Sequence, residues 1–265
     1  MVGLRVPGAM RVRVAVVFFL CCPLAWCASL PAGAQNPSVA EQYLFSAANQ
    51  ERVQLGLQPL RWDPGLYRAA NAHALQMAEQ GRISHQFAGE PDLTQRGDEA
   101  GLRFSEIAEN VAEAPTAIMI QQEWLNSPKH RRNMLDPAVD SVGIRVVRGR
   151  GGELFAVEDF DRSVRNLSLK QQEEQVGRLL ESNSSIQVVP TTQEARRTCM
   201  MDSGYAGPRQ PMFVMRYTAV TLDRLPGELE QRLATGRYRQ AEVGACPAES
   251  SQGFSMYSIV VLLYR

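Results

Sequence analysis

Between residues 37 and 56 the apolar positions Leu44, Ala47, Ala48 and Val53 recur at helical spacing. Ser38 and Glu41 stand in the S-x-x-E order of a capping box, and Gly56 supplies a stop. A second helix starts after Asp63-Pro64, since aspartate caps and proline suits the first helical position. Along it Leu66, Ala70, His73 and Met77 make one face, and Gly81 ends it. Asp92 and Gln95 open a short third helix that reaches Gly101. Thr116 caps a fourth, with Ile120 and Trp124 on its buried side.

At Ser127-Pro128 the chain breaks and restarts for one further turn. Ser127 has the place of an N-cap, its hydroxyl engaged by backbone N–H groups. The period then changes from 3.6 to 2. "SVGIRVV" alternates Val142, Ile144 and Val146 with Gly143 and Arg145, "RGRGG" turns, and "ELFAVEDF" returns, which is a hairpin pattern.

Beyond Phe160 the composition shifts. "LSLKQQEEQVGRLLE" is a polar helix, and we assign residues 162–190 to a helical linker. "PMFVMRYTAV" and "SMYSIVVLLY" read as strands, "LPGELEQRLATG" as a helix, and "RQAEVGA" as a short strand. Residues 191–265 are therefore expected to form an accessory α+β unit.

The first 34 residues follow another logic. Arg5, Arg11 and Arg13 precede the apolar run "VAVVFFLCCPLAWC", and Ala32-Gly33-Ala34 is a small-x-small cleavage site. The expected mature chain starts at Gln35, is secreted to the periplasm or beyond, and contains no transmembrane segment. Lipid attachment at Cys27 is the rival, disfavoured by the bulk of Trp26. Losing the leader removes three of the 28 cations and none of the 28 acids, so the mature chain is slightly acidic and has no field that draws nucleic acid. It also removes three of the five cysteines. Cys199 and Cys246 remain, and an oxidising compartment favours one disulfide between them over two free thiols.

Four separated segments carry a resemblance: "NQERVQLGLQPLRWDPGLYRAANAHALQMAEQGRISH", "AEN", "WLNSPKHRRNMLDPAVDSVGIRVV" and "FAVEDF". In this order and spacing they resemble a bacterial CAP (SCP-type) domain, from the superfamily of cysteine-rich secretory proteins, venom antigens and plant pathogenesis-related proteins. The resemblance implies an α-β-α sandwich over residues 38–161, with a cleft lined by two histidines and two acids. Matched by motif, "ISH" supplies His85, "AEN" supplies Glu109 and "SPKHR" supplies His130, while the second acid's place is taken by Ser127.

The resemblance further implies that His85, Glu109 and His130 can hold a divalent cation such as Zn²⁺, or that a cleft takes a lipid. No other cofactor is indicated. The alternative for the trio is a hydrogen-bonded cluster that pins the loops to the sheet. His73 is a core residue or a partner behind the site, Asn110 stands beside Glu109, and Asn133 ties down the loop into the strand. Lys129, Arg131 and Arg132 read as a solvated turn, with an anion-binding site as the alternative. Two functions follow. One is a non-enzymatic binder of a small ligand, lipid, cation or cell-envelope component. The other is a metal- or serine-dependent hydrolase in the same cleft.

Overall fold

The structure, a computed structural model, describes residues 36–247 and 252–265. The leader, its cleavage site and Cys27 lie outside these residues. Residues 36–265 form one compact unit.

Helix α1 (Val39–Gln54) begins with both bonds of the capping box: Ser38 Oγ accepts from Glu41 N at 3.3 Å, and Glu41 Oε2 accepts from Ser38 N at 2.6 Å. Leu44 and Ala48 are buried as expected, but Val53 is 59% exposed. The buried residue of the last turn is Arg52. Its guanidinium donates to the carbonyls of Gln58, Met134, Asp136 and Val139, at 2.8–3.2 Å. A charge with that many acceptors can be buried where hydrophobicity alone predicts exposure.

Strand β1 (Arg61–Trp62) leads into α2 (Pro64–Gln80), where Asp63 Oδ1 accepts from Gly65 N and Leu66 N at 2.6 and 3.0 Å. Gly81 closes the helix at φ 63°. Helix α3 (Leu93–Glu99), strand β2 (Phe104–Ala114), helices α4 (Ala117–Asn126) and α5 (Pro128–Met134), and the hairpin β3 (Ser141–Arg148) and β4 (Leu154–Ser163) complete the first part. The sheet order is β1-β3-β4-β2, with β1 parallel to β3 and the other pairs antiparallel.

β4 is buried from Leu154 to Asp161 because helices cover both sides of the sheet. Leu154, Ala156 and Phe160 pack with Leu44, Ile120 and Trp124, while Phe155 and Val157 pack with Ala70, Ala74 and Met77. This is the expected α-β-α sandwich. α2 lies directly on β3: a Cβ on Gly143 would come within 2.1 Å of Tyr67 N.

A second sheet occupies the C-terminal part. Helix α6 (Leu169–Asn183) precedes β5 (Gln187–Val188), α7 (Gln193–Cys199), β6 (Phe213–Ala219), α8 (Gly227–Ala234), β7 (Gln240–Cys246) and β8 (Tyr257–Tyr264). Both strands and the helix expected from hydropathy are present, and so is the short strand in "RQAEVGA". The two-residue β5 and the seven-residue α7 are too short to announce themselves. α6 does more than connect the parts, since Val176 and Leu180 enter the core formed by Leu229, Val243, Ile259 and Val261.

Cys199 and Cys246 form the expected disulfide, joining the end of α7 to the end of β7. It closes a loop of 47 residues. Replacing both cysteines by alanine is expected to lower stability by roughly 2–4 kcal/mol, chiefly by freeing the unfolded chain. Urea denaturation with and without reductant checks this, and coincident curves for parent and variant would contradict it.

Candidate functional site

β2 carries the centre of the site. Its Glu109 faces α2 and α3, on the same face of the sheet as Asp159 of the neighbouring strand, its register partner. The buried Glu109 carboxylate is engaged at both ends. Oε1 takes a contact from His85 Nδ1 at 2.9 Å, and Oε2 accepts a short hydrogen bond from Arg96 Nη2 of α3. Arg96 is itself buried, and its Nη1 donates to Pro91 O at 3.0 Å and lies 3.9 Å from Glu90 Oε1.

His73 is the fully buried core histidine of α2 and also a neighbour of the site. Its Nδ1 lies 2.7 Å from Glu90 Oε1 and its Nε2 lies 2.6 Å from Ser84 O. Nε2 is also 3.9 Å from Glu109 Oε2. The loop that carries His85 is thereby anchored at Ser84 and Glu90. Beneath it, Arg96 and His73 face Glu90 and Glu109.

The opposite side is built from α5. Asn110 Nδ2 donates to the His130 carbonyl at 3.1 Å and to Glu158 Oε2 at 3.2 Å. Asn133 Nδ2 donates to Asn110 Oδ1 at 3.0 Å and to Glu109 O at 3.2 Å. Both asparagines therefore tie α5 to β2. Asn133 was expected to fix the loop into the strand, and it binds β2 instead. Ser127 stands at the N-cap position of α5, but its side chain makes no cap hydrogen bond. The expected hydroxyl-to-backbone cap is absent, and the backbone there is held by Ser127 N donating to Glu123 O at 3.0 Å.

The electrostatics follow from these neighbours. The hydrogen bond to Glu109 raises the His85 pKa above the ordinary histidine value. Burial, and then the charges of His85 and Lys129, push His130 below it. The His85 side chain is 64% exposed. His130 Nδ1 is buried with no hydrogen-bond partner. Burial, and then the adjacent Glu109 charge, hold Asp159 well above the usual carboxylate range. Burial raises Glu158 to about 8, a shift that the Asn110 hydrogen bond opposes.

These residues do not fit the divalent cation that the resemblance allowed at His85, Glu109 and His130. One Glu109 oxygen is occupied by a buried guanidinium, whose fixed positive charge also opposes a cation. The other oxygen is bonded to His85. Among the described residues, no three histidine, cysteine, aspartate or glutamate side chains are arranged to hold a metal ion. Arg96, Glu90 and Asp159 were absent from the sequence reading. The capping box at Asp92 and Gln95 placed the helix but did not say that its arginine turns inward.

Among the described residues no helix is long and apolar enough to cross a membrane. Residues 45–160 match the model of the Cysteine-rich secretory protein family, CAP. Two Bacillus subtilis (strain 168) proteins are similar. Uncharacterized protein YkwD is 28% identical over 111 residues, 42% of this chain and 43% of its own. Uncharacterized membrane protein YlbC is 30% identical over 115 residues, 42% of this chain and 32% of its own. This chain thus spans less than half the length of either relative. Of the solved structures, an extracellular SCP-domain protein from Bacillus anthracis is 26% identical, with a TM-score of 0.44 over 47% of this chain and 40% of that one. With the sandwich, its sheet order and the segment matched by the family model in place, residues 45–160 form a CAP-type domain.

Proposed function

We propose that this is an exported, non-enzymatic binding protein whose His85 and His130 receive an anionic group of a small ligand or cell-envelope component. The basic start and apolar run of the first 34 residues support export. The observation that carries the binding reading is the engagement of Glu109 by both Arg96 and His85. A carboxylate held in this way is not a free general base, and it is a poor metal ligand. What remains available on the surface is cationic or proton-donating: His85 with its raised pKa, and the exposed Lys129 beside His130. Such groups favour charge-assisted hydrogen bonds to a phosphate or carboxylate.

The hydrolase reading needs an activated nucleophile. His130 Nδ1 has no partner and the Ser127 hydroxyl makes no cap bond, so no nucleophile–base pair is formed through that nitrogen.

Inorganic phosphate is the probe. In the exported chain at about pH 6, near the free histidine pKa, phosphate is expected to shift the imidazole NMR signals of His85 and His130 saturably. His85→Ala should abolish the His130 shift. Signals that stay fixed throughout the titration would overturn the proposal.

A further inference from the structure

We infer that residues 164–265 are a second, diverged copy of the fold formed by residues 38–163, and that the groove between α6, β5 and α7 binds an aromatic side chain presented by another polypeptide. The two parts share their wiring. The first sheet runs β1-β3-β4-β2 and the second β5-β7-β8-β6. In each, the edge strand is parallel to its neighbour and the other two pairings are antiparallel. In each, a helix precedes the first strand and another follows it, and helix lies between the second and third strands.

Single residues repeat as well. Arg61 N donates to Asp140 O at 3.0 Å and Asp63 N to Val142 O at 2.9 Å. In the second sheet Gln187 N donates to Arg239 O and Val189 N to Ala241 O, both at 2.9 Å. A Cβ on Gly143 would strike the backbone between Leu66 and Tyr67, three and four residues after the cap Asp63. Two positions further along the matching strand, a Cβ on Gly244 would strike the backbone between Ala195 and Arg196, three and four residues after the cap Thr192. In the first helix of each part a buried glutamate accepts from an inner-strand N–H: Glu41 from Val146 at 3.0 Å, and Glu173 from Ala245 at 3.1 Å. Three residues after each glutamate, Leu44 and Val176 are fully buried, and seven after, so are Ala48 and Leu180. All three histidines belong to the first copy, so the second does not reproduce the Glu109 cluster.

A second difference lies between the first helix, the edge strand and the second helix. The first copy fills the space between its first helix, edge strand and second helix with Phe45, Trp62 and Tyr67, whose successive ring centroids are 5.6 and 5.7 Å apart. The equivalent positions of the second copy are Gly177, Val188 and Arg196. All three line a cavity of about 620 Å³. Its remaining apolar wall is Val189, Pro190 and Val243. Glu173 already holds Arg196 by two hydrogen bonds of 2.7 Å. The rim carries Lys170 and Arg178 against Glu174 and Glu181, a balance that favours neither a nucleic acid nor a metal ion. β5 is an edge strand, so an extended peptide can lie along it while its side chain enters the groove. A site of this size is within the range of small-ligand pockets, and the aromatic group replaces what the first copy supplies from its own chain.

The site is separate from the histidine cluster and does not depend on its role. The test uses the exported chain and two peptides, acetyl-Gly-Trp-Gly-amide and acetyl-Gly-Ala-Gly-amide, followed by ¹H–¹⁵N NMR. The tryptophan peptide is expected to shift the amides of Gly177, Val188 and Arg196 saturably, and the alanine peptide is expected to leave them unmoved. Val188→Trp restores the residue of the first copy and should abolish the shifts. Should that variant fail to fold, Gly177→Val narrows the same groove from the α6 side and should weaken them. No shift, equal shifts from both peptides, shifts confined to other residues, or unchanged binding in the filled variants would each overturn the site.

Discussion

Arg96→Met is expected to destabilise the protein by about 3–5 kcal/mol, the cost of removing one partner from a buried ion pair. Methionine keeps much of the volume but not the charge, so Glu109 loses the donor to its Oε2 and Glu90 loses its neighbouring cation. The Arg96 side chain is only 2% exposed, so water cannot substitute for it. The effect should depend on its partner: in the Arg96→Met, Glu109→Gln double variant most of the loss is recovered, because no carboxylate is left unpaired on that side. Urea unfolding of the parent, both single variants and the double variant measures the coupling. Additive losses would show that the two side chains do not act as a pair.

Glu158→Gln is expected to act in the opposite direction at alkaline pH. Burial raises the folded-state pKa of Glu158 from 4.5 to about 8. A raised pKa means that the folded protein keeps a proton the unfolded chain gives up. The contribution of this group to stability is therefore fully present below about pH 4.5 and is lost progressively as the pH rises to about 8. The slope is roughly 1.4 kcal/mol per pH unit, a total of about 5 kcal/mol as an upper bound. Asp161, raised to about 7 by burial and the nearby Asp140 and Asp63 charges, adds a slope of the same sign. His130, held low, opposes both: its contribution is present above the free histidine value and lost as the pH falls through its lowered one. Glutamine keeps an oxygen for Asn110 and does not ionise. The variant should match the parent near pH 5, exceed it at pH 8, and show a flatter profile between. Parallel profiles would mean that Glu158 does not titrate in this range.

Most helices of the first part were legible because a few residues at their ends have specific chemistry. Ser38 with Glu41, Asp63 with Pro64, and Asp92 with Gln95 mark starts whatever the packing. The β3–β4 hairpin was legible from its period and its glycine-rich turn. β2 was not, since "FSEIAENVAEA" mixes acids and alanines without alternation. It is a strand because its polar side chains are used by neighbours: Glu109 by Arg96 and His85, and Asn110 by Glu158 and the His130 carbonyl. For a related reason, Arg52 and Arg96 did not stand out. Hydropathy assigns arginine to the surface, and only the arrangement of carbonyl or carboxylate acceptors shows that it can be buried.

The family motif located His85, Glu109 and His130 but not the charge beside them, and that charge decides between cation site and salt-bridged cluster. In the C-terminal part the kinship of the two sheets was hidden because the matching positions differ in kind. Phe45 is met by Gly177 and Trp62 by Val188, and the likeness lies in strand order and backbone contacts.

The central claim is that Glu109 is held by Arg96 and His85 and is not a metal ligand. Imidazole ¹⁵N NMR of residues 35–265, with and without one equivalent of Zn²⁺ at pH 7, tests it most directly. The account predicts that His85 titrates above the ordinary histidine value, that His130 titrates below it, and that neither signal moves with zinc. Stoichiometric zinc shifts at both histidines, abolished by Glu109→Gln, would contradict it.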